Sequence, residues 1–294
     1  MVHETNIKVI LITMEISKVI NSLIESGINI IGVIESKRKN TNKQTKEMEN
    51  FCLENGLPYY FMNEGCNNRL ENWVRKLEPD LVVINRMSEL LKKNILEIPK
   101  KGCINLHPTL LPKYRGGFPL FWTYYNYDLN QGVTVHYIDE GEDTGDIIYQ
   151  KNYRMTLGTT EEELLEDLVY KIGTEVLIKS ILDIENNCAP RIKQAKTSPT
   201  VRARQIKTCE YKKIIDWEEW GIERIWHLLR GTQNWLNVFD FTEIQGEVLK
   251  WKILKYVKGD VKPQQKLGKV YKEEDAYFVY CRHGKIFMEL SIEV

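Results

Sequence analysis

The stretch Gly102-Cys103-Ile104-Asn105-Leu106-His107-Pro108 is the one around which we expect the fold to be organised. Its apolar residues are typical of a buried strand, and Pro108 ends that strand because proline lacks the N–H that a sheet needs. Side chains two apart on a strand share a face, so Asn105 and His107 point the same way. Asn offers amide donors, and His exchanges a proton near neutral pH. The sequence therefore predicts a polar site at the end of a buried strand.

A second polar segment, Asp139-Glu140-Gly141-Glu142-Asp143-Thr144-Gly145-Asp146, follows the alternating strand of residues 132–138. Asp, Gly and Thr are turn residues, so this segment on its own is better explained as a turn. An Asn-x-His pair on its own is likewise more often a satisfied structural pair than a catalytic one. Together, an amide, an imidazole and a carboxylate at two strand ends fit an acyl-transfer site.

The rest of the N-terminal half alternates between strands and helices. Ile7 to Ile12 is an apolar strand, residues 16–24 carry apolar side chains at helical spacing, and Ile28 to Ile34 is the next strand. Asp80 to Ile84 is almost wholly apolar, which predicts a strand at the centre of a sheet covered on both faces. We therefore predict an α/β fold with a Rossmann-like, mostly parallel sheet and helices on both faces. The first strand is not followed by Gly-x-Gly-x-x-Gly, which disfavours a dinucleotide cofactor.

The C-terminal third has a different pattern. Residues 188–214 are weakly periodic and contain two prolines, which indicates a linker. Short strands at close spacing follow from residue 247 onward, which predicts a small, mainly antiparallel, barrel-like β domain. We place the catalytic domain at 1–200 and the β-rich domain at 201–294. Phe118 to Tyr127 is predicted as a helix, with Pro119 in its first turn.

Composition narrows the class of function. Lys plus Arg and Asp plus Glu number 41 each, so the net charge is zero, whereas a dedicated nucleic-acid binder is usually basic. The basic segment Lys37 to Lys46 is better explained as a solvated loop and helix start than as a phosphate site. The six cysteines form no Cys-x-x-Cys pair, which argues against zinc and favours reduced thiols in a cytoplasm.

The chain begins without the basic and apolar regions of a signal peptide. Its apolar runs are all shorter than the roughly 20 residues that span a bilayer. We therefore expect a cytoplasmic protein without a membrane partner.

The two polar segments also carry a resemblance. Asn105-x-His107-Pro-Thr-Leu-Leu-Pro-x-Tyr-Arg-Gly, followed by Gly132-Val-Thr and Asp143-Thr-Gly-Asp-Ile-Ile, resembles the folate-dependent formyltransferase family. That family includes methionyl-tRNA formyltransferase, glycinamide ribonucleotide transformylase and the nucleotide-sugar N-formyltransferases. The resemblance implies that N10-formyltetrahydrofolate is the co-substrate and that no metal is needed. It also implies that Asn105, His107 and Asp143 are the catalytic residues.

Each of these three side chains suits a step of formyl transfer. A primary amine attacks the formyl carbon, and Asn105 can donate a hydrogen bond to the oxyanion that forms, with help from a charged His107. His107, or a water that it holds, suits the movement of a proton from the amine to the leaving nitrogen. Asp143 would orient the imidazole and favour its protonated form.

Ligand contacts are expected on either side of these three residues. In the family, backbone groups of the loop after the central strand hold the folate pterin. We expect co-substrate contacts from Asn85, Arg86, Met87, Asp139, Glu140 and Gly141. We expect acceptor contacts from Arg115, Gly116, Phe118, Trp122 and Tyr125.

For some of these residues a purely structural role is an alternative to ligand binding. Arg115 suits an acceptor phosphate, although a plain surface arginine explains it equally well. The aromatic residues between 118 and 125 are core packing by default, and any exposed member suits stacking on a base. We interpret His136 as a structural residue rather than a ligand contact.

Two features of the sequence indicate which class of acceptor the enzyme uses. The run Gly116-Gly117-Phe118-Pro119-Leu120-Phe121-Trp122 looks like the nucleotide-sugar N-formyltransferases, whereas methionyl-tRNA formyltransferases usually follow Arg-Gly with Ala-Ala-Pro. Residues 201–294 contain 17 Lys and Arg against 14 Asp and Glu, which is little positive charge for a domain that grips tRNA. We therefore expect a UDP- or dTDP-linked amino sugar as acceptor, in the setting of lipopolysaccharide biosynthesis. A methionyl-tRNA formyltransferase is the alternative, a non-catalytic binding protein is the third interpretation, and a homodimer stays open.

Overall fold

The computed structural model of the protein describes residues 5–37, 46–242, 244–262 and 264–293. The basic segment Lys37 to Lys46 therefore lies, apart from its two end residues, outside the described residues. A seven-stranded sheet with helices forms the larger part of the described chain, and a four-stranded sheet forms the C-terminal part.

The first sheet confirms the predicted mostly parallel arrangement. Its strands are β1 (Val9–Thr13), β2 (Ile30–Ser36), β3 (Tyr59–Met62), β4 (Leu81–Asn85), β5 (Cys103–His107), β6 (Asn130–Tyr137) and β7 (Ile147–Arg154). Their order is β3-β2-β1-β4-β5-β6-β7. The pairs β1–β2, β1–β4, β2–β3 and β4–β5 are parallel, and β6 runs antiparallel to β5.

The centre of this sheet is formed by β1 and β4, in which every residue is buried. A strand with no solvent face carries a continuous apolar run instead of an alternating one, which explains both sequences. Each of these strands ends in a buried polar residue, Thr13 or Asn85. Because a buried polar group must be hydrogen-bonded, each is tied to the loop after β1: Thr13 Oγ1 donates to the Glu15 carbonyl at 3.1 Å, and Asn85 Nδ2 donates to Ser17 Oγ at 3.4 Å.

Helices connect the strands. They are α1 (Lys18–Glu25), α2 (Lys46–Glu54), α3 (Asn68–Leu77), α4 (Lys93–Leu96), α5 (Pro119–Tyr125), α6 (Glu161–Leu164), α7 (Thr174–Glu185) and α8 (Ile222–Thr232). A π-helical stretch, Leu165–Gly173, joins α6 to α7, and a 3₁₀ helix covers Thr208–Lys213. In α1 the fully buried residues Val19, Ile20 and Leu23 recur at helical spacing, so one face of the helix is apolar and buried.

Several predicted boundaries were wrong by one or a few residues, and two of them have a clear cause in the backbone. The second strand begins at Ile30 rather than Ile28, because Gly27 has a φ of 72° and the N–H of Ile28 still donates to the Leu23 carbonyl in the cap of α1. The helix predicted for Phe118 to Tyr127 is the shorter α5. Tyr127 has a φ of 55°, which is the left-handed region and cannot continue a helix.

The second sheet confirms the predicted antiparallel C-terminal part. Its strands are β8 (Glu247–Lys258), β9 (Val270–Glu273), β10 (Ala276–Cys281) and β11 (Gly284–Glu293). They pair in the order β8-β11-β10-β9, and each pair is antiparallel. The core of this sheet includes Ile253, Val270, Val279 and Ile286, all fully buried.

The chain divides into two compact units. The first unit comprises residues 1–119, 131–153 and 165–203, and the second comprises 120–130, 154–164 and 204–294. The second unit therefore includes two short segments, 120–130 and 154–164, from the part of the chain predicted as the catalytic domain. The domain boundaries 1–200 and 201–294 stay a prediction.

Candidate active site

Asn105 and His107 lie at the carboxyl end of β5, where the neighbouring strand β6 brings a second histidine beside them. The antiparallel register of β5 and β6 pairs Asn105 with His136 and His107 with Thr134. The Asn105 Nδ2 atom is 3.2 Å from His136 Nε2. The interpretation of His136 from the sequence does not include this contact. Residues 31 positions apart meet only through the pairing of the two strands, which a local pattern does not reveal.

His107 is almost inaccessible to solvent, with 3% of its surface exposed. Its Nε2–H donates to the Tyr114 carbonyl at 3.2 Å, and its Nδ1 atom lies 3.7 Å from Asp143 Oδ2. Burial lowers the pKa of His107, and the negative charge of Asp143 opposes this effect without reversing it. The ring is therefore neutral at neutral pH, which differs from the charged His107 that we expected.

Asp143 lies between the two imidazoles. Besides the contact with His107, its Oδ1 atom is 3.6 Å from His136 Nε2, and the N–H of Gly116 donates to its Oδ2 at 2.8 Å. Burial alone would raise the pKa of Asp143, but the nearby His107 ring and the hydrogen bond from the Gly116 N–H lower it well below the usual range of a carboxyl. Asp143 is therefore an ionised carboxylate at neutral pH.

Position 116 requires glycine. Its φ is 128°, and a Cβ atom there would lie 2.7 Å from the Ala203 carbonyl oxygen. The segment around Ala203 is held against the same loop, because the Ala203 N–H donates to the Arg115 carbonyl at 2.8 Å and its own carbonyl accepts from Phe118 N–H at 2.9 Å. Gly116 was predicted to contact the acceptor, and the contact that the structure shows is with Asp143.

Arg115 is buried, and its guanidinium is held within the protein. It donates to Gln194 Oε1 at 2.8 and 3.2 Å, to the Ala195 carbonyl at 2.8 Å and to the Lys196 carbonyl at 3.2 Å. Gln194 in turn donates from Nε2 to the carbonyls of Asp143 at 2.9 Å and Gly145 at 2.7 Å. This geometry indicates a structural role for Arg115 and does not support phosphate binding by its guanidinium. Gln194, which sequence reasoning missed, links the Arg115 loop to the Asp143 loop.

Thr134 anchors the loop that follows β5. Its fully buried hydroxyl donates to the Thr109 carbonyl at 2.7 Å and accepts from the Leu111 N–H at 3.0 Å. The side-chain amide of Gln150 on β7 donates to Thr134 Oγ1 and to the Leu111 carbonyl, both at 2.8 Å. The loop therefore starts from a position fixed by the sheet.

The residues predicted to hold the co-substrate lie in two loops of the first unit. Asn85 is buried against Ser17, Arg86 has a φ of 71° and pairs with Glu15, and Met87 packs against a buried core cluster. In the other loop, Asp139 Oδ1 accepts from the N–H of Gly141 at 3.0 Å and from Thr144 Oγ1 at 2.6 Å. Glu140 lies 3.7 Å from Lys93.

Of the predicted acceptor residues, Phe118 belongs to the first unit, and Trp122 and Tyr125 to the second. In the second unit the rings of Trp122 and Tyr125 are 5.3 Å apart, and those of Tyr125 and Trp220 are 5.2 Å apart. The Arg224 guanidinium lies 3.6 Å from the centre of the Trp220 ring and donates to the Tyr125 carbonyl at 2.8 Å. We call Trp122, Tyr125, Trp220 and Arg224 the aromatic cluster. Trp220 and Arg224 were missed because they lie about a hundred residues further along the chain.

Within the described ranges, no group of three or more His, Cys, Asp or Glu side chains is arranged to hold a metal ion. None of the helices in the described residues is both long and apolar enough to cross a membrane. An ionised carboxylate between two imidazoles, beside an amide donor, is suited to the proton transfer and oxyanion stabilisation of acyl transfer.

Comparison with known sequences agrees with this chemistry. Residues 7–181, more than half of the chain, match the family described as Formyl transferase. The chain belongs to this family and is a formyltransferase. Methionyl-tRNA formyltransferase of Alkaliphilus oremlandii is 37% identical over 235 residues, which cover 78% of this chain and 74% of that protein. Methionyl-tRNA formyltransferase of Thermodesulfovibrio yellowstonii is 31% identical over 270 residues, which cover 90% and 83%.

Solved structures share the fold over nearly the whole chain. The N-formyltransferase from Helicobacter canadensis, in complex with folinic acid and dTDP-3-aminofucose, has a TM-score of 0.65 at 20% identity and covers 97% of this chain and 100% of that one. A 4-N formyltransferase from Francisella tularensis has a TM-score of 0.59 at 20% identity, with 98% of both chains covered. At this level of identity the likeness shows a common fold, which includes the C-terminal sheet.

Proposed function

We propose that this enzyme transfers a formyl group from N10-formyltetrahydrofolate to the primary amine of a UDP- or dTDP-linked amino sugar. The observation that carries the formyl-transfer part is the contact of Asp143 with both His107 and His136, beside the amide of Asn105. Membership of the formyl transferase family agrees with it.

In this proposal each of the three residues has one role. Asn105 donates a hydrogen bond to the formyl oxygen as negative charge develops on it, a contribution that is typically about 2.7–4 kcal/mol. His107 is neutral because burial lowers its pKa, so it can take the proton of the attacking amine and return it to N10 as the bond from N10 to the formyl carbon breaks. Asp143 stabilises the imidazolium in between. Because Nε2–H donates to the Tyr114 carbonyl, the proposal requires this contact to open and the ring to shift its proton to Nδ1, which faces Asp143. Nε2 is then free to take the proton of the amine.

The co-substrate is proposed to lie against the loops of Asn85–Met87 and Asp139–Gly141. The first loop follows the central strand β4, and ligands of open α/β sheets bind at the carboxyl ends of such strands. Met87 of the first loop and Ile138, which precedes the second loop, pack against the same buried cluster. Since the Asn85 side chain is buried against Ser17, we assign the contact of this loop to backbone groups.

The amino-sugar acceptor is supported by charge and by the aromatic cluster. The net charge of zero is unsuited to a long polyanion but sufficient for a diphosphate. The aromatic cluster provides partly exposed rings beside a guanidinium, which is the combination that holds a base by stacking. Phe118 is a further candidate for a base contact within the first unit.

A second candidate acceptor is charged initiator tRNA. The observation that favours it is the similarity to methionyl-tRNA formyltransferases at 37% and 31% identity. The two acceptors differ in how many phosphates the enzyme must bind. A tRNA complex would lose about 10³–10⁵ in affinity between 50 and 200 mM salt, whereas the KM of a nucleotide sugar should change only modestly.

The test measures formylation of charged initiator tRNA beside formylation of a panel of UDP- and dTDP-amino sugars, each at these two salt concentrations. We expect turnover of one amino sugar, dependent on N10-formyltetrahydrofolate and weakly dependent on salt. Trp122→Ala should raise the KM for that sugar, and the matched variant Trp122→Phe, which keeps a ring, should restore most of the affinity. Efficient, salt-sensitive formylation of tRNA with no reaction on any amino sugar would reverse the ranking of the two acceptors.

A further inference from the structure

A single ring atom of His136, Nε2, contacts both Asn105 and Asp143. The residue is 1% exposed, and its Nε2 atom lies 3.2 Å from Asn105 Nδ2 and 3.6 Å from Asp143 Oδ1. Its other ring nitrogen, Nδ1, is 2.8 Å from the carbonyl of Tyr137. Both ring nitrogens are thus held in place by the protein.

These contacts determine which nitrogen carries the proton. A carbonyl oxygen only accepts, so Nδ1 must carry the hydrogen that binds Tyr137. In the neutral ring Nε2 is then an acceptor, and it can pair only with a donor. The Asn105 amide meets this need by turning its nitrogen, not its oxygen, towards His136.

The orientation of the Asn105 amide follows from this. An amide nitrogen has two N–H groups, so one of them binds His136 and the second is available for another acceptor. If His136 became charged, Nε2–H would be a donor and would favour Asp143 Oδ1 and the oxygen of Asn105. The two protonation states of His136 therefore demand opposite orientations of the Asn105 amide.

We infer that His136 is a positioning residue, whose Nε2 lone pair holds Asn105 with one N–H directed to the formyl oxygen. This inference rests on the proposed function, because it assigns to His136 the alignment of the donor that formyl transfer uses. It predicts that what the reaction needs at position 136 is a hydrogen-bond acceptor, and not merely a side chain that fills space.

Two substitutions separate these possibilities. His136→Leu fills space without an acceptor, whereas His136→Gln provides an amide oxygen that can accept from Asn105. We expect His136→Leu to lower kcat by about 10–100-fold, with little change in the KM of N10-formyltetrahydrofolate. This loss is smaller than the loss expected if the Asn105 donor were removed completely. We expect His136→Gln to recover most of kcat. His283→Gln, a change of an exposed histidine in the second unit, is the matched control and should leave kcat unchanged.

Full activity of a folded His136→Leu variant would overturn the inference, as would an equal loss of kcat in the Leu and Gln variants. Nitrogen-15 NMR of the imidazoles in the wild-type protein gives a second measurement, which reports the position of the proton without reference to activity. We expect His136 to carry its proton on Nδ1 and His107 on Nε2, with the signals assigned from His→Gln variants. A neutral His136 protonated on Nε2 would contradict the inference.

The NMR measurement needs no acceptor, so it also separates the two proposals. If no amine is formylated, the proposed function fails whatever the tautomer of His136. If formylation occurs and the tautomer or the variants disagree, only the role of His136 fails.

Discussion

Both compact units of the chain contain fully buried histidines, but the two settings differ in what the rings face. In the first unit His107 and His136 flank the carboxylate of Asp143. In the second unit His227 accepts at Nδ1 from the Gly158 N–H at 3.0 Å, and its ring lies 4.9 Å from that of Tyr124 and 5.7 Å from that of Tyr127. Among the described residues its Nε2 has no hydrogen-bond partner.

The difference shows that burial by itself does not make a histidine a catalytic candidate. Burial lowers the pKa of His107 and also lowers that of His227, to about 4. Only in the first unit is there a carboxylate to stabilise the charged ring, so only there can a buried imidazole take up a proton at moderate cost. At His227 the same proton would enter a buried setting without a counter-charge, which argues against a role in proton transfer.

The largest effect is expected when the carboxylate that distinguishes the two settings is neutralised. Asp143→Asn keeps the shape of the side chain but removes the charge that stabilises the imidazolium of His107. We expect kcat to fall by about 10²–10⁴-fold with the midpoint of thermal unfolding nearly unchanged, since proton transfer of this kind is worth that much. Steady-state kinetics on a folded variant tests this, and turnover close to that of the wild type would remove the distinction between the two histidine sites.

The next effect concerns the backbone N–H that holds Asp143 in place. Gly116→Ala would force a Cβ against the Ala203 carbonyl at a backbone angle that suits only glycine, so we expect a loss of about 1–3 kcal/mol in the free energy of unfolding and a large loss of kcat. Gly117→Ala is the matched control, because a Cβ at that position has no atom within 4 Å. Denaturant titration of both variants is the measurement. Equal stability of the two would mean that the loop adjusts freely around Asp143.

The buried histidine of the second unit, His227, should affect how the free energy of unfolding depends on pH. His227 has a folded-state pKa of about 4, below the ordinary value near 6.5, so between these values the unfolded chain binds a proton that the folded chain excludes. Its contribution to stability is therefore complete above pH 6.5 and is lost as the pH falls towards 4, by about 2 kcal/mol between pH 7 and pH 5.

Comparison with His227→Gln isolates this contribution, because glutamine does not titrate and can still accept from Gly158. We expect the free energy of unfolding of the variant to fall less steeply than that of the wild type over this pH range. Parallel pH curves for the two proteins would show that His227 is not a buried neutral ring.

The smallest effect is expected at the bridge between Arg115 and the Asp143 loop. Gln194→Ala removes the two hydrogen bonds to the carbonyls of Asp143 and Gly145, so Asp143 should be held less closely and kcat should fall about tenfold, or about 1.4 kcal/mol. Lys193→Ala, which changes an adjacent and largely exposed side chain, is the control and should have little effect. A loss expressed only in KM would show that Gln194 acts on binding instead of on the position of Asp143.

Much of the fold could be predicted from the sequence because it depends on patterns within short segments. The continuous apolar runs of β1 and β4 indicate strands covered on both sides, and these strands are indeed fully buried at the centre of the sheet. The change to short strands after residue 247 likewise predicted the antiparallel C-terminal sheet. Ends of elements were less accurate, as the cap of α1 at Gly27 and Ile28 shows, because a few local hydrogen bonds decide them.

The candidate site was predicted in part. Asn105, His107 and Asp143 follow from polar residues at strand ends and from the family motif, and their catalytic roles stay a prediction. The contact of His136 with Asn105 does not follow from the sequence, because the two residues lie on different strands. The sequence left a phosphate contact and a surface position equally open for Arg115, because it does not show that Gln194, 79 residues away, accepts from the guanidinium.

What the sequence by itself determined is the kind of sheet, the motif of the formyl transferase family and the kinds of side chain at the end of β5. These features depend on spacing and residue type over a few tens of residues. The tertiary structure decided that His136 meets Asn105, that Gln194 joins two loops, and that His107 is neutral while Asp143 is ionised. The physical reason is that strand pairing and desolvation depend on residues far apart in the chain, and both exist only once the sheet has formed.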